Sequence, residues 1–316
     1  MPTEFALIDA IARRAAARDD VVLGIGDDAA ILSVPADRQL VVAMDTLNAG
    51  VHFPEDSLPA DIGWKVLAVN LSDLAAMGAR PAWCTLSLSL PASDSRWLEG
   101  FLDGFLALAA RHGVALVGGD TTRGPLSVCV TAHGLVEPGR SLRRDGARIG
   151  DDVWVTGTLG DAAGALAQWR AGGDRDPALR ERLDRPEPRV ESGLALAGLA
   201  HAAIDVSDGL LADLDHVCSA SRVGAEIAVG MLPLSPALAA AFDQGQHRAL
   251  QCSGGDDYEL CFTAARERRD DIAATGAGVA MTRVGRIVAG EAVSVVDEEG
   301  NPWRSPRRGF DHFEPM

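Results

Sequence analysis

Lysine is almost absent from this 316-residue sequence: Lys65 is the only one among 29 lysine and arginine residues. A Walker-type phosphate-binding loop needs a lysine that directly follows a glycine, and Lys65 lies between Trp64 and Val66. Walker-loop kinases are therefore excluded, and so is the protein-kinase signature set. Any ATP chemistry in this chain must use another way to hold the phosphates.

Cysteine is also scarce, with five residues and no pair spaced as C-x-x-C. An odd number without paired spacing indicates neither a disulfide framework nor a zinc site. We expect a reduced, cytoplasmic protein, because the N-terminal residues are amphipathic and do not resemble a signal peptide. No run approaches the ~18 apolar residues of a membrane span, so no membrane partner is expected.

Basic residues are outnumbered by acidic ones, which gives a formal net charge of −16 at pH 7. This charge disfavours a nucleic-acid backbone or an anionic membrane surface as a partner. Solubility accounts for most of the surface acids. It does not account for acids that lie in glycine-rich, apolar contexts.

Six short acidic clusters, most of them with glycine, lie where apolar runs end. They are GIGDDA at 24–29, MDT at 44–46, NLSD at 70–73, GGDTT at 118–122, DVSDG at 205–209 and GGDDYE at 254–259. Two carboxylates about 4 Å apart repel by about 4 kcal/mol at an effective dielectric near 20, so converging clusters need a counter-charge. Oxygen ligands without a His or Cys cluster favour Mg²⁺, which binds through a few carboxylates and substrate phosphates. The sequence therefore predicts a Mg²⁺-dependent phosphoryl-transfer enzyme.

Most of these clusters also have an ordinary structural explanation. Asp28 fits a turn and Asp45 a cap, while Asp120, after a strand and a Gly-Gly turn, fits a helix N-cap. Asp73 is more informative, since it lies inside an apolar helical pattern where an unpaired aspartate is rare. Asp208 can belong to a helix N-cap and to an anion-binding helix N-terminus at the same time.

Helical and strand periodicities alternate along the chain, which indicates the α/β class. At this length two domains are expected, and the pattern restarts near residue 149, which gives domains over 1–148 and 149–316. Residues 172–188, with three prolines and many charges, are expected to be a loop. The predicted helices cover 5–18, 61–77, 95–112, 161–170, about 190–200 and a segment from 210, and the strands cover 20–34, 39–46, 83–90, 114–117, 126–136, 153–157, 202–205 and 279–296.

The acidic clusters and their flanking residues resemble the thiamine-monophosphate kinases, a family within the aminoimidazole-ribonucleotide-synthetase-like ATP-binding superfamily. The resemblance covers nearly the whole chain in the right order, although single motifs are shared with other members of the superfamily. The matching motifs are GIGDDA at 24–29, DTL at 45–47, GVHF at 50–53, AVNLSDLAAMGA at 68–79, GGDTTRG at 118–124, IDVSDGL at 204–210, SGGDDYEL at 253–260 and GFDHF at 309–313.

The resemblance implies ATP-dependent phosphorylation of thiamine monophosphate to thiamine diphosphate by direct in-line transfer with several Mg²⁺ ions. No side chain has to act as a base, because a phosphate oxygen is already a nucleophile at pH 7, and alignment and charge neutralisation carry phosphoryl transfer. The family fold implies a homodimer formed through N-terminal sheets. Residues 1–148 would bind ATP and Mg²⁺ and dimerise, and residues 149–316 would contribute to the ATP and substrate sites.

The resemblance also implies three sets of site residues. The metal ligands would be Asp28, Met44, Asp45, Asp73, Asp120, Asp205 and Asp208. The ATP contacts would be Gly119, Asp120, Arg144 and Ser207. The thiamine phosphate would contact His52, Glu259 and Phe310, with Asp27, Thr46, Asp256 and Asp257 as secondary candidates.

Two positions depart from the family pattern. Met44 stands where a small hydroxyl residue is usual, so a metal contact there is retained if it uses the backbone carbonyl and lost if it uses the side chain. Asp256 stands where a glutamate is often found, which shortens the reach of that carboxylate.

Two other interpretations stay open at this point. Another ATP-dependent member of the superfamily, such as an aminoimidazole ribonucleotide synthetase or a selenophosphate synthetase, would share single motifs. The latter typically has a reactive cysteine or selenocysteine near its N-terminus, whereas the first cysteine here is Cys84. A non-catalytic nucleotide- and Mg²⁺-binding regulator would keep the phosphate ligands but not the acceptor site, and the presence of His52, Glu259 and Phe310 favours the enzyme.

Overall fold

The computed structural model describes residues 3–172, 175–275, 278–306 and 309–310. The chain divides into two compact units, the first formed by Met1–Leu74 and Ala79–Gly139 and the second by Ala75–Gly78 and Arg140–Met316. Helices and strands interleave in both units, so the predicted α/β class is confirmed. The functional division at 148/149 stays a prediction. Within the described ranges, no helix is both long enough and apolar enough to span a bilayer.

The first unit combines helices with a four-stranded sheet. The sheet has the order β3-β6-β4-β5, with β4 parallel to β5 and the other neighbours antiparallel. The short strands β1 and β2 pair with each other. The elements are α1 (Glu4–Arg14), β1 (Val21–Leu23), β2 (Ile31–Leu32), β3 (Gln39–Asn48), α2 (Pro59–Ala76), β4 (Arg80–Leu90), α3 (Ser95–His112), β5 (Ala115–Arg123) and β6 (Ser127–Val136).

Helix α2 is fixed in place by a close helix–helix contact and by the sheet. A Cβ added at Gly104 of α3 would lie 1.7 Å from the carbonyl oxygen of Ala60 in α2, so the two backbones approach at a distance that only glycine permits. Near the C-terminal end of α2, the Leu74 side chain lies against Gly134 of β6. The first contact thus holds the N-terminal turn of α2 against α3, and the second holds its C-terminal part beside the sheet.

Strand β5 continues through the segment that the sequence analysis took for a Gly-Gly turn. Asp120 pairs with Ser87 of β4, so the explanation of Asp120 as a helix N-cap is wrong. The β4–β5 register shifts between Cys84 and Thr85, which pair with Leu116 and Gly118, and this leaves one extra residue on β5. Such a bulge breaks the regular alternation and redirects the side chains that follow it.

The second unit is built on a seven-stranded sheet of order β13-β12-β9-β11-β7-β10-β8, in which β12 runs parallel to β9 and the other neighbours are antiparallel. Strands β7, β8 and β10 are buried along their whole length. The elements are β7 (Asp152–Thr156), α4 (Asp161–Ala171), α5 (Pro177–Asp184), α6 (Val190–Leu196), β8 (Ala202–Asp205), α7 (Leu210–Ser221), β9 (Gly224–Ala228), α8 (Pro236–Ala241), α9 (Gln244–Ser253), β10 (Leu260–Ala264), α10 (Arg269–Ala273), β11 (Met281–Val288), β12 (Val293–Val296) and β13 (Pro302–Trp303).

The prediction of a loop over residues 172–188 is wrong, because this segment contains α5. The carboxylate of Asp176 accepts hydrogen bonds from the backbone N–H groups of Ala178 (2.8 Å) and Leu179 (3.2 Å). Pro177 occupies the first helical position, where its missing N–H costs no hydrogen bond. An aspartate N-cap followed by proline is a helix-start signal that the three prolines and the high charge of the segment obscured.

Candidate functional site

Asp45 and Asp73 meet in the first unit. Asp45 lies in β3 and Asp73 near the end of α2, and their carboxyl groups hydrogen-bond to each other. Asn70 of α2 accepts a hydrogen bond from the backbone N–H of Asp45 (3.1 Å), which joins the helix to the strand at this point. Two carboxyls can share a hydrogen bond only if one of them is protonated, so the pair is a place where a cation can replace a proton.

Burial raises the pKa of Asp45 above its usual value, although the hydrogen bond from Asp73 and the charge of His52 act in the opposite direction. His52 is held at this place because its Nδ1 accepts a hydrogen bond from the backbone N–H of Asn48 (3.0 Å). The structure therefore brings together three residues that the sequence analysis singled out separately: Asp45, Asp73 and His52.

Other candidate residues of β3 and β5 lie on the opposite face of the sheet. Side chains alternate along a strand, and the side chain of Met44 is 63% exposed next to the half-buried Asp45. Thr46 and Asp120 fall in one cross-strand row and are both exposed. Because Met44 points away from the Asp45 face, a metal contact on that face would have to use its backbone carbonyl.

Asp27 and Asp28 lie between β1 and β2, where both are exposed. The Asp27 carboxylate accepts a hydrogen bond from the backbone N–H of Asp28 (2.8 Å), which is the turn role that these residues were also expected to fit. Neither of them is among the groups that shift the pKa of Asp45. Their assignment to a metal site stays a prediction.

In the second unit, one carboxylate organises the turn between β8 and α7. The Oδ2 atom of Asp213 accepts hydrogen bonds from the backbone N–H groups of Ser207 (3.0 Å), Asp208 (3.1 Å) and Gly209 (3.1 Å). Burial and the neighbouring charges of Asp205 and Asp208 raise the pKa of Asp213 to about 8. Three carboxylates thus lie around one turn, and a bound cation would relieve their repulsion.

Asp213 was missed by the sequence analysis, although an aspartate in the first turn of α7 is itself a helix-start signal. We expect Asp213→Ala to destabilise the protein by about 3 kcal/mol, because three backbone donors lose their acceptor. Asp213→Asn should cost much less, since its carbonyl oxygen can accept the same bonds. Urea unfolding of the two variants checks this, and equal losses for both would contradict the role of Asp213 as an acceptor.

The loop 254–259 lies directly beside the 205–208 turn. The backbone N–H of Asp256 donates a hydrogen bond to the carbonyl oxygen of Ser207 (2.8 Å). The backbone N–H of Tyr258 donates to the carbonyl oxygen of Val206 (2.8 Å). The Tyr258 hydroxyl donates to the Asp256 carboxylate (3.0 Å), which is half-buried. The secondary candidate Asp256 therefore lies next to the proposed ATP contact Ser207.

Phe310 also lies beside the 205–208 turn. Its backbone N–H donates to the carbonyl oxygen of Asp208 (3.0 Å), and its side chain is 41% exposed. A partly exposed aromatic ring beside a carboxylate turn has the chemistry to stack on a ligand ring. The rest of its motif, at 311–313, lies outside the described residues.

The side chains of Glu259 and Asp257, in contrast to the exposed ring of Phe310, are buried. The Glu259 side chain is 0% exposed, and Arg182 of α5 and Arg189 hold its carboxylate. Asp257 is buried as well; its Oδ1 accepts a hydrogen bond from the backbone N–H of Gly160 (2.8 Å), and burial raises its pKa well above the usual value. Sequence reasoning placed Glu259 at the substrate and missed both arginines. Contact between Glu259 and a substrate stays a prediction.

Arg144 begins a short 3₁₀ helix, Arg144–Gly146, in the second unit. Its side chain is exposed, and its carbonyl oxygen accepts a hydrogen bond from the Ser221 hydroxyl (2.7 Å). An exposed guanidinium can form bidentate contacts with a phosphate. Its contact with ATP stays a prediction.

The carboxylates of both units meet the requirements of Mg²⁺ only in part. Among the described residues, no three or more His, Cys, Asp or Glu side chains are grouped closely enough to form a complete metal site. Mg²⁺ usually keeps several waters and binds through one or two carboxylates together with substrate phosphates. Asp45 with Asp73 in the first unit and Asp205 with Asp208 in the second supply such oxygen donors, so the residues present fit this ion.

Two family matches cover most of the chain. Residues 26–136 match the family described as AIR synthase related protein, N-terminal domain, and residues 148–298 match AIR synthase related protein, C-terminal domain. The order of the two domains is the one that the resemblance in the sequence implied.

Similar proteins narrow the family further. The chain is 46% identical to the thiamine-monophosphate kinase of Escherichia coli strain K12 over 98% of each chain. It resembles the crystal structure of thiamine-monophosphate kinase from Stenotrophomonas maltophilia K279a with a TM-score of 0.87 and 56% identity, covering 93% of this chain and 96% of that one. It also resembles AaThiL complexed with AMPPCP and TMP, with a TM-score of 0.79 and 33% identity over 99% of each chain. The sequence-based assignment is thus confirmed, and the chain belongs to the thiamine-monophosphate kinase family.

Proposed function

We propose that this protein transfers the γ-phosphoryl group of ATP to thiamine monophosphate, giving thiamine diphosphate and ADP, in the cytoplasm. The observation that carries the proposal is the 46% identity to a thiamine-monophosphate kinase over 98% of both chains. The carboxylate clusters of the two units support it, because two phosphorylated substrates need counter-charge to approach each other.

In the first unit, we assign the metal-binding role to Asp45 and Asp73, with His52 beside them for the thiamine phosphate. Asp28, Asp120 and the carbonyl of Met44 are further proposed metal ligands of this unit, with Asp120 on the face of the sheet opposite to Asp45. Gly119 and Asp120 would contact ATP. The half-buried position of Asp45 supports its role, since a buried carboxylate pair binds a cation more strongly than exposed groups do.

In the second unit, we assign metal binding to Asp205 and Asp208 and ATP contact to Ser207 and Arg144. The Asp213 carboxylate fixes the backbone of this turn through three hydrogen bonds, so the ligands are preorganised before the substrate arrives. When bound, Mg²⁺ would neutralise the phosphate charge that develops during transfer. The protein's own contribution is alignment of the two phosphates, and no side chain has to remove a proton from the acceptor.

Phe310 is assigned to the acceptor, where its exposed ring would stack on thiamine. Phe310→Ala should raise the KM for thiamine monophosphate by about tenfold, the loss expected from one stacking contact of roughly 1.4 kcal/mol. The KM for ATP should change much less. Steady-state kinetics with each substrate varied in turn checks this. Phe310→Tyr is the matched control and should keep the low KM, and an unchanged KM in Phe310→Ala would contradict stacking.

We also propose a homodimer through the sheet of the first unit. Leu40, Val42 and Met44 are exposed on one face of the edge strand β3, with Val42 at 56%. An apolar face on an edge strand is a liability in a monomer. Val42→Glu should therefore convert a dimer to a monomer in light scattering coupled to gel filtration. Ile149→Glu, at another exposed apolar residue, should leave the mass unchanged; a monomeric wild-type protein would contradict the dimer.

The proposed reaction is tested by ADP release with Mg-ATP and a panel of acceptors. The panel contains thiamine monophosphate, free thiamine and an aminoimidazole ribonucleotide precursor. Of these three acceptors, only thiamine monophosphate is expected to support ADP release from Mg-ATP. Turnover with another acceptor and none with thiamine monophosphate would keep the superfamily and overturn the substrate.

A further inference from the structure

The carboxylate of Glu259 is saturated with hydrogen bonds from protein groups. Its Oε2 atom accepts from the Thr156 hydroxyl and from Nε of Arg189, both at 2.6 Å. Its Oε1 atom accepts from Nη2 of Arg182 (2.6 Å) and from Nη2 of Arg189 (2.5 Å). A carboxylate has about four lone-pair sites, so none is left for a ligand.

The space around this carboxylate is also closed. A Cβ added at Gly157 would lie 2.1 Å from Oε1 of Glu259, so the carboxylate packs directly against the backbone that leaves β7. Its donors come from β7, from α5 and from the residue that precedes α6. Glu259 therefore ties three separate elements to the start of β10.

The backbone of Glu259 continues this connection into the 205–208 turn. Its carbonyl oxygen accepts a hydrogen bond from the N–H of Val206 (2.8 Å), next to the bonds that Asp256 and Tyr258 donate to the same turn. Asp256 and Tyr258 have φ angles of +61° and +50°. Residues other than glycine adopt this left-handed conformation rarely, aspartate more often than a bulky residue such as Tyr258. The loop therefore depends on contacts that hold it, and the buried Glu259 side chain, next to Tyr258, supplies such contacts.

We propose that Glu259, together with Arg182 and Arg189, forms a positioning cluster that holds loop 254–258 in its left-handed conformation and thereby sets the geometry of the 205–208 turn. Glu259 acts through Ser207 and Asp208 and does not contact the thiamine phosphate. Its effect on turnover rests on the proposed function, whereas its effect on the loop does not.

The first test is hydrogen exchange in the full chain with Glu259→Gln. The matched control is Glu226→Gln, which removes a carboxylate from a partly exposed ion pair with Arg286 in the same unit. We expect the amides of Val206, Asp256 and Tyr258 to exchange at least about tenfold faster in Glu259→Gln and at the wild-type rate in the control. Unchanged exchange at these amides would overturn the proposal.

A milder pair of variants keeps the test valid if Glu259→Gln does not fold. Thr156→Val removes one donor to Glu259 without changing charge, and Thr156→Ser retains the hydroxyl. Faster exchange at the same amides is expected in Thr156→Val and not in Thr156→Ser. Equal exchange in both variants would contradict the cluster.

Kinetics separate positioning from substrate contact. A positioning role predicts that Glu259→Gln and Arg189→Gln each lower kcat and raise the Mg²⁺ concentration for half-maximal activity by about 10–100-fold, with the KM for thiamine monophosphate within about threefold. A rise in that KM alone, confined to Glu259→Gln, would overturn the proposal in favour of direct contact. Because exchange is measured without turnover, an inactive wild-type protein would overturn the proposed function alone.

Discussion

Replacing Asp73 by asparagine is expected to lower kcat by on the order of 10³-fold, the loss seen when one preorganised electrostatic group is removed from a site. The reason is that Asp73 lies against the half-buried Asp45. A divalent cation bound there would replace the proton in the hydrogen bond between the two carboxyl groups. Asparagine keeps the shape and a hydrogen-bond partner for Asp45 but removes one negative charge. The measurement is initial-rate kinetics at saturating ATP and thiamine monophosphate over a series of Mg²⁺ concentrations.

The stability of Asp73→Asn separates a metal role from a structural one. Without Mg²⁺, its thermal midpoint should equal or exceed that of the wild type, because the two carboxyls no longer compete for one proton. Asp61→Asn in the first turn of the same helix is the matched control and should retain activity. Wild-type turnover in Asp73→Asn would remove Asp73 from the metal site.

Gly119→Ala is expected to destabilise the protein by about 3 kcal/mol or more, in the upper range for overpacking. A Cβ at this position would lie 1.8 Å from the carbonyl oxygen of Leu86, and the φ angle of Gly119 is +152°. The backbones of β4 and β5 would therefore have to separate beside Asp120. Loss of both thermal stability and ATP affinity is expected, measured by calorimetry and by titration with a non-hydrolysable ATP analogue.

The neighbouring glycine supplies the control for this prediction. A Cβ at Gly118 would have a Thr85 methyl group as its nearest neighbour, at 4.0 Å, so Gly118→Ala has room. Its stability should stay within about 1 kcal/mol of the wild type. If both alanine variants were equally stable, the close approach at Gly119 would not be what holds this strand pair together.

The long periodic elements could be predicted from the sequence, whereas the pairing of distant segments could not. The helix over 95–112 is confirmed at both ends, with Asp94 as its N-cap and Gly113 in the left-handed conformation at its C-terminus. The predicted strand over 20–34 is wrong in its middle, since only β1 and β2 pair and the glycine–aspartate turn separates them. Local signals define caps and periods, but a strand also depends on partners far away in the sequence.

In the candidate site, too, some features could be predicted from the sequence and others could not. Asp73 stood out from the sequence because an aspartate inside an apolar helix needs a partner, and the structure supplies Asp45 as that partner. The burial of Glu259 could not be predicted, because its two arginines lie about 70 residues earlier, Arg182 in a helix that was taken for a loop. Single residues with an unusual environment can thus be found in a sequence, while the direction in which a side chain points requires the fold.

The most direct test of the proposed function follows the phosphoryl group itself. Incubation with ATP labelled at the γ-phosphate, thiamine monophosphate and Mg²⁺ should place the label in thiamine diphosphate, in a one-to-one ratio with the ADP formed. The product can be identified by chromatography against authentic thiamine diphosphate. Label that appears only in inorganic phosphate, with thiamine monophosphate unchanged, would contradict direct transfer to this acceptor.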